Sequence, residues 1–491
     1  MSKGNELFEL IKSLTPSEKR SFRLATSGYQ TEKSYLKLFD EIDKQTEYDE
    51  ERLRKKMAIK SQANFSMVKN YLKELILENM EGTRAKTSLD VLLNKYLNRI
   101  IFLIDKGLSA QAKKLLAQTK ELAVKGEKFT ILVMVYDLET RLLLNATSGE
   151  SVKEELLRLD ADAKRVIKQL DNYWEFLFQS SYYTDSVRGD YFIEEKIAEL
   201  YSLGKGLFND EASALSKQSL RLFHLGWSLR YAYSSNYPKL EESQKKILAV
   251  EFEIEDANMF KVKIICIANI LVCLYSQRKL EEMHSYIEKL EYFNNNMPTY
   301  ANAQCHALVV VFLANFKIKV AVRSGNTDVL NASIQELANG VKKHKDKVPR
   351  VTLASTTAYL AIAYFFIGQF KESKKILAKA DVFEWKVFGL QVRILKCMTY
   401  YELDQRDLLK RESASALRVI AKEEDGAFHA PFEKLFLSFF RNLNSFVSKA
   451  ETAREFSRLK TKVDQLDPNE TNEDPFYKDF FLDWIAKSSQ V

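Results

Sequence analysis

The chain has 491 residues, with 74 basic and 67 acidic side chains and a formal net charge of +7. Glycine occurs 15 times and proline 7 times, well below the usual shares of about 7% and about 5%. Because both residues break helices and shape turns, their scarcity argues against sandwich, doubly wound and disordered chains and favours an all-α fold. The small positive excess permits acidic partners but does not require nucleic acid.

Residues 1–85 are predicted to form an N-terminal helical domain of short amphipathic helices. Within it, "YDEERLRKKMAIKSQANFSMVKNYLKELI" predicts two helices joined by a tight turn, an arrangement that DNA-binding proteins use. The candidate DNA contacts are Arg52, Arg54, Lys55, Asn64, Lys69 and Asn70. Against this interpretation, Glu74 and Glu78 continue the second helix and no glycine marks the turn. Two interpretations stay open: a DNA interface, and a helical cap that shields the first repeat.

Residues 86–465 alternate between strongly apolar helices and charged amphipathic helices. One such pair is "MFKVKIICIANILVCLYSQ" followed by "RKLEEMHSYIEKLEYF". An apolar helix needs neighbours on both sides, whereas a charged helix shows one face to water. Helix pairs with this asymmetry cannot bury themselves alone, so we expect antiparallel pairs stacked into a solenoid.

One pair carries a recognisable spacing of residues, "AIAYFFIGQFKESKKILAKA" with the helix before it. The matching positions are Thr357, Leu360, Ala361, Tyr364, Gly368, Phe370, Ser373, Leu377 and Ala380. This spacing resembles the tetratricopeptide repeat, a right-handed solenoid in which glycine makes the turn between paired helices. Arg278 takes the glycine position in a second matching pair. The layout, with "SLTPSEKRSF", "KGLSAQAKKLLAQTKELA" and "RILKCMTYYELDQRDLL", also resembles a group of uncharacterised bacterial proteins, which implies no activity.

The resemblance implies a binding surface on the concave face, along the first helix of each pair. Carried onto the two best pairs, the candidate protein-binding positions are Tyr275, Ser276, Ser355, Ile362, Phe365 and Phe366. These positions are mostly apolar, so an open groove would suit a hydrophobic helix or an aromatic-bearing peptide. The alternative is a tightly wound superhelix in which the same residues are core.

No catalytic, metal or cofactor motif appears in the sequence. The five histidines lack metal-ligand spacing, and neither a phosphate-binding loop nor a nucleophile elbow occurs. We therefore predict a non-catalytic scaffold, without metal or cofactor, that binds a protein or peptide. A transcription regulator that responds to a peptide or ligand through an N-terminal helix-turn-helix is the alternative.

Cellular location is predicted from the cysteines and the apolar runs. The four cysteines lie in apolar stretches, which predicts buried free thiols in a reducing compartment. The N-terminus lacks the apolar region of a signal peptide, and the longest apolar runs reach about half a membrane span. We expect a cytoplasmic protein that does not enter a membrane.

Residues 466–491 differ in composition from the repeats. An acidic, proline-containing linker precedes the aromatic segment "PFYKDFFLDWIAKSSQV", which predicts a short helix. That helix is either a hydrophobic cap on the last repeat or an interaction peptide, because exposed aromatic side chains mark contact surfaces.

Overall fold

The computed structural model describes most of the chain. The described residues are 6–14, 16–26, 33–59, 61–84, 88–144, 150–188, 207–234, 236–344, 347–379, 386–423, 431–443, 449–466 and 475–488. Over these ranges the regular structure is helical and contains no strand, so the prediction of an all-α fold is confirmed. Ala380 and the linker residues 467–474 lie outside the described residues.

The chain divides into two compact units, 1–167 and 168–491. The finer division predicted from the sequence, at 85/86 and 465/466, stays a prediction.

The first unit begins with five helices around one apolar cluster. These are α1 (Glu6–Ser13), α2 (Pro16–Thr26), α3 (Lys33–Lys44), α4 (Glu50–Met57) and α5 (Gln62–Arg84). Their amphipathic faces bury Phe22, Phe39 and Phe65 completely, which is what apolar residues at helical spacing predict. Three longer helices follow, α6 (Leu89–Asp105), α7 (Ser109–Lys125) and α8 (Phe129–Leu144), each packed on the next.

Helix α9 (Glu150–Arg188) crosses the boundary between the units, and the remaining helices belong to the second unit. In chain order they are α10 (Lys217–Tyr233), α11 (Tyr237–Ala249), α12 (Ala257–Ser276), α13 (Leu280–Asn295), α14 (Ala303–Ser324), α15 (Thr327–His344), α16 (Arg350–Phe366), α17 (Phe370–Leu377), α18 (Lys386–Glu402), α19 (Arg406–Glu423), α20 (Pro431–Asn442), α21 (Lys449–Asp464) and α22 (Pro475–Ser488).

Five helices of the second unit, α12, α14, α16, α18 and α20, are called the first helices below. Each packs on the helix that follows it in the chain, and each of the first four also packs on the next first helix. Apolar side chains of these helices, of the helices between them and of α22 form one continuous core that extends from Phe260 to Ile485. Small residues permit close approach inside a pair: the Ser373 hydroxyl of α17 donates to the Ala361 carbonyl of α16 over 2.9 Å, and both residues are fully buried.

The turns that end α6 and four of the first helices share one construction. Positive φ angles between 53° and 77° occur at Gly107 after α6, Arg278 after α12, Gly325 after α14, Gly368 after α16 and Asp404 after α18. The residue after each donates its N–H back into the last turn, as Gln369 does to the Tyr364 carbonyl over 2.9 Å. This is the Schellman ending, which favours glycine at the left-handed position. Gly368 is a turn residue, as predicted, and Arg278 holds the equivalent place.

Two helices, α12 and α14, are long and apolar enough to span a membrane by length and composition alone. The qualifying window is 56% buried inside the protein in α12 and 67% in α14. The core helix of a soluble protein passes the same test, so these helices do not decide the location of the protein.

The four cysteines are buried and free, as their apolar surroundings predict. Burial raises the pKa of Cys266 and of Cys273 to about 12. These thiols therefore stay protonated at neutral pH and are poor nucleophiles.

Candidate functional site

The C-terminal helix α22 lies across the C-terminal ends of α12, α14, α16 and α18. We call these four helix ends, together with α20, the docking surface. Its amphipathic pattern explains the contact. Phe480, Phe481, Trp484 and Ile485 recur at helical spacing and are each at most 6% exposed, so one face of the helix is buried against the rest of the unit. The aromatic segment predicted from sequence is thus a helix seated on several first helices rather than on the last repeat alone.

An ion pair fixes one end of α22. Asp479 accepts a hydrogen bond from Arg323 Nη1 over 2.6 Å, and Arg278 Nη2 lies 3.7 Å from its other carboxylate oxygen. Burial by itself would lower the pKa of Arg323, but hydrogen bonds to Tyr275 and Asp479 raise it above the ordinary arginine value. Both side chains of this charge-assisted bond are mostly buried, 24% and 27% exposed, which strengthens it relative to a fully exposed pair.

Aromatic rings hold the middle of α22. Phe480 meets Phe365 of α16 edge-on, with ring centroids 5.7 Å apart. Phe481 lies 6.1 Å from Phe432 and 5.5 Å from Phe436, both on α20. These distances fall in the favourable range for aromatic pairs, so each contact contributes beyond the area it buries.

A hydrogen bond fixes the last turns of α22. The indole N–H of Trp484 donates to Glu402 Oε1 at the end of α18 over 2.7 Å, while its ring packs on Tyr401 at 5.6 Å. One turn further on, Lys487 places its ammonium 5.1 Å from the ring centre of Phe366. Helix α22 therefore presents an acidic side chain, an apolar face and an indole donor, and each of them contacts a different partner on the docking surface.

Beneath this helix, α14 contributes a second cation. Lys319 is 2% exposed, and its Nζ lies 4.7 Å from the ring centre of Tyr359 and 5.5 Å from that of Tyr275. Arg323 follows one turn later on the same face. Arg323 and the nearby aromatic rings therefore offer α22 a cation and apolar faces, and Asp479 of α22 lies against that cation.

Of the predicted protein-binding residues, Phe365 and Phe366 contact α22, and three of the six residues are buried in the core. Tyr275, Ile362 and Phe365 are 2%, 0% and 6% exposed. Phe365 contacts α22, so its contact with any other partner would require α22 to leave. Phe366 is half-buried beside Lys487.

The two predicted serines bond within their own helices. Ser276 Oγ donates to the Val272 carbonyl over 2.9 Å, and Ser355 Oγ donates to the Thr352 carbonyl over 3.0 Å. Their role in binding stays a prediction.

Sequence reasoning missed Arg278 as a contact, together with Arg323, Glu402 and Asp479. One signal was available: each of the first three lies in the last turn of a first helix or in the turn that follows. A charged residue there can reach a helix that crosses the helix ends. The partner Asp479 is 156 residues from Arg323, too far for any local pattern to pair them.

The N-terminal candidates divide into exposed and engaged side chains. Arg52, Lys55, Asn64 and Asn70 are exposed. Arg54 is partly buried and donates to Gln62 Oε1 over 2.8 Å.

Lys69 belongs to the engaged group. Its ammonium lies 2.6 Å from Glu50 Oε2 and 3.2 Å from the Tyr48 hydroxyl. Partial burial would raise the pKa of Glu50, but hydrogen bonds from Lys69, Tyr48 and Gln62 lower it to about 2. Lys69 must leave this ion pair before it can bind a phosphate.

Comparisons with family models, with curated proteins and with solved structures find no match to this chain. The tetratricopeptide resemblance therefore stays a prediction.

Proposed function

We propose that this protein is a non-catalytic scaffold that binds an amphipathic helix of a protein partner on the docking surface. The observation that carries the proposal is α22 itself, an aromatic helix with an acidic residue already seated there. The partner we propose has the same chemistry: an aspartate or glutamate, aromatic residues directly after it, and a tryptophan one turn later whose indole N–H donates to Glu402. Such a helix satisfies Arg323, Phe365 and Glu402 together.

The finer architecture belongs to this proposal. We infer that the helix pairs stack as a right-handed tetratricopeptide-like solenoid of antiparallel pairs, with the N-terminal helices as its cap. Packing between successive first helices supports this arrangement. A stack of pairs aligns the ends of many helices along one surface, which is the kind of extended binding surface that repeat proteins use.

A tethered helix competes strongly with a free one. A segment on a short linker has an effective concentration of about millimolar at its own binding surface. A partner must therefore bind more tightly than α22 or meet a chain in which α22 is weakened. This competition supplies a direct test.

The test uses a fluorescent peptide of residues 475–488 and the full chain in two forms, unaltered and Asp479→Arg. In the variant, the introduced positive side chain faces Arg323 and Arg278. The tethered helix α22 is therefore held less tightly, and the labelled peptide can bind in its place. We expect its affinity to rise at least about tenfold, equal to about 1.4 kcal/mol. Fluorescence anisotropy measures the binding.

Asp483→Arg is the matched control, because this exposed residue makes the same charge change on the same helix without an ion pair among the described residues. The control should leave peptide affinity unchanged. A charge-exchanged pair, Arg323→Asp protein with a peptide carrying Arg at position 479, should bind as well. If hydrogen exchange shows α22 released in Asp479→Arg while the peptide still fails to bind, the proposed function is wrong.

A second candidate function rests on the exposure of Arg52, Lys55, Asn64 and Asn70 beside the α4–α5 junction. It is DNA binding, with α5 as the helix that enters the groove. Binding of a labelled duplex, measured by fluorescence anisotropy, should then weaken steeply between about 50 mM and about 200 mM salt. The double variant Arg52→Glu, Lys55→Glu should abolish binding; salt-independent binding that survives these changes would exclude the candidate.

A further inference from the structure

A cavity of about 260 Å³ opens where α22 meets the turn between α16 and α17. Five aromatic side chains line it: Phe365, Phe366, Phe370, Phe480 and Trp484. Its charged lining consists of two exposed carboxylates, Glu402 and Asp483, and the ammonium of Lys487, and Gly368 and Ser488 complete the lining. The cavity thus combines an aromatic wall with a net negative charge.

This combination suits a positively charged ligand. The face of an aromatic ring carries partial negative charge and attracts cations. Lys487 demonstrates the attraction, since its ammonium lies 5.1 Å from the ring centre of Phe366. Glu402 is held in place because its Oε1 accepts the Trp484 indole N–H.

We propose that this cavity binds an organic cation, an alkylammonium or guanidinium group of the size of a lysine or arginine side chain. The cation lies against the aromatic wall, pairs with Asp483 and Glu402, and displaces the ammonium of Lys487. A free small molecule and a side chain of a protein share this chemistry.

Binding at this cavity also stabilises the seated form of α22. Phe480, Asp483 and Trp484 belong to α22, so the complete cavity exists only while the helix is in place. A ligand that binds one form and not the other shifts the equilibrium towards the form it binds. The cation therefore opposes release of α22. This inference does not depend on the proposed function, because it holds whether or not an external helix binds.

The experiment titrates the full chain with n-butylguanidinium, with n-butylammonium and with n-butanol as the neutral counterpart. Calorimetry gives the affinity, and the indole N–H signal of Trp484, assigned with Trp484→Phe, reports the location. We expect both cations to bind and to shift that signal, and n-butanol to do neither. A tripeptide with a central arginine tests a side chain as the source. Binding of the tripeptide alone assigns the site to a partner's side chain, and binding of the free cations alone assigns it to a small molecule.

Variants test the individual contacts. Asp483→Asn should weaken n-butylguanidinium about fivefold, as expected for loss of one exposed ion pair. Lys487→Gln removes the resident ammonium and should strengthen binding. Glu281→Gln, an exposed carboxylate on α13, should change nothing. Because Glu402→Gln also disturbs Trp484, Asp483→Asn is the decisive variant.

Hydrogen exchange of residues 475–488 should slow when the cation binds. Equal binding of n-butanol, an unshifted Trp484 signal, or unchanged affinity in Asp483→Asn would each overturn the proposal. Loss of this site would leave the peptide competition experiment unaffected, so the two proposals fail separately.

Discussion

At Gly368 a single backbone angle decides which residue the position accepts. Its φ is +77°, and no atom lies within 4 Å of the place where a Cβ would stand. The cost of any side chain there is conformational and not steric. Ala58, which ends α4 in the first unit, has φ +54° with a methyl group already present and exposed.

Alanine in place of Gly368 and glycine in place of Ala58 should change the free energy of unfolding in opposite directions. Gly368→Ala should lower the free energy of unfolding by about 1 kcal/mol, because an L-residue is strained at positive φ. Ala58→Gly should raise it by up to about 1 kcal/mol, because the strain disappears. Urea denaturation checks both. A neutral Gly368→Ala would show that the turn adjusts its φ.

Glu433 on α20 is a buried carboxyl group, 2% exposed, beside Gln391. Within the part of the chain that the structure describes, its Oε1 accepts no hydrogen bond. Burial raises the pKa of Glu433 to about 7. The folded state therefore binds a proton in a pH range where the unfolded chain has released it.

This difference makes stability depend on pH. Since the pKa of Glu433 is raised on folding, its contribution is fully present below the unfolded pKa and is lost as pH rises through about 7. Glu433→Gln should remove this loss, so at about pH 8 the variant should be more stable by on the order of 3 kcal/mol. Thermal unfolding across the pH range measures it. Parallel pH profiles of variant and unaltered protein would contradict the assignment.

At the scale of elements, α22 is held by side chains that come from at least five different helices: α14, α16, α18, α20 and α21. Phe481 of this helix is fully buried and packs on Phe432 and Phe436. The helix also carries an ion pair at one end and an indole hydrogen bond at the other. Removing the central ring should therefore release the helix before the rest of the unit unfolds.

Phe481→Ala should cost about 3 to 5 kcal/mol, the usual range for a buried phenylalanine. Hydrogen exchange of residues 475–488 should accelerate accordingly, while α12 to α16 keep their protection. Asp483→Ala, an exposed position on the same helix, is the control and should exchange like the unaltered protein. Simultaneous loss of protection throughout the unit would show that α22 is an inseparable part of the core.

At the scale of the whole molecule, the described apolar residues form separate cores. One cluster lies between Leu7 and Met80, and another extends from Phe260 to Ile485. Phe22 belongs to the former and Phe436 to the latter, and both are fully buried.

Variants of these two residues should therefore act locally. Phe22→Ala should speed hydrogen exchange within residues 6–84 and leave 257–488 unchanged, whereas Phe436→Ala should do the reverse, each at a cost of about 3 to 5 kcal/mol. Leu24→Ala, at a position 66% exposed, should affect neither core. Faster hydrogen exchange in both ranges from either variant would show that the two ranges unfold together.

The sequence by itself determined the helical class, the positions of most helices and the turn at Gly368. These features depend on local causes: helical spacing of apolar residues, few helix breakers, and one glycine at a left-handed angle. The same local causes placed a helix within the aromatic C-terminal segment. The tetratricopeptide resemblance, and not these local causes, implied that Phe365 and Phe366 bind a partner, and that role stays a prediction.

Only the tertiary structure decided that α22 occupies the docking surface. Asp479 meets Arg323 across 156 residues, and Trp484 meets Glu402 across 82. No periodic pattern links residues so far apart, because their pairing depends on how the helix ends align in space. The sequence left open where the aromatic C-terminal segment lies, and the contacts of α22 show that this helix covers the docking surface.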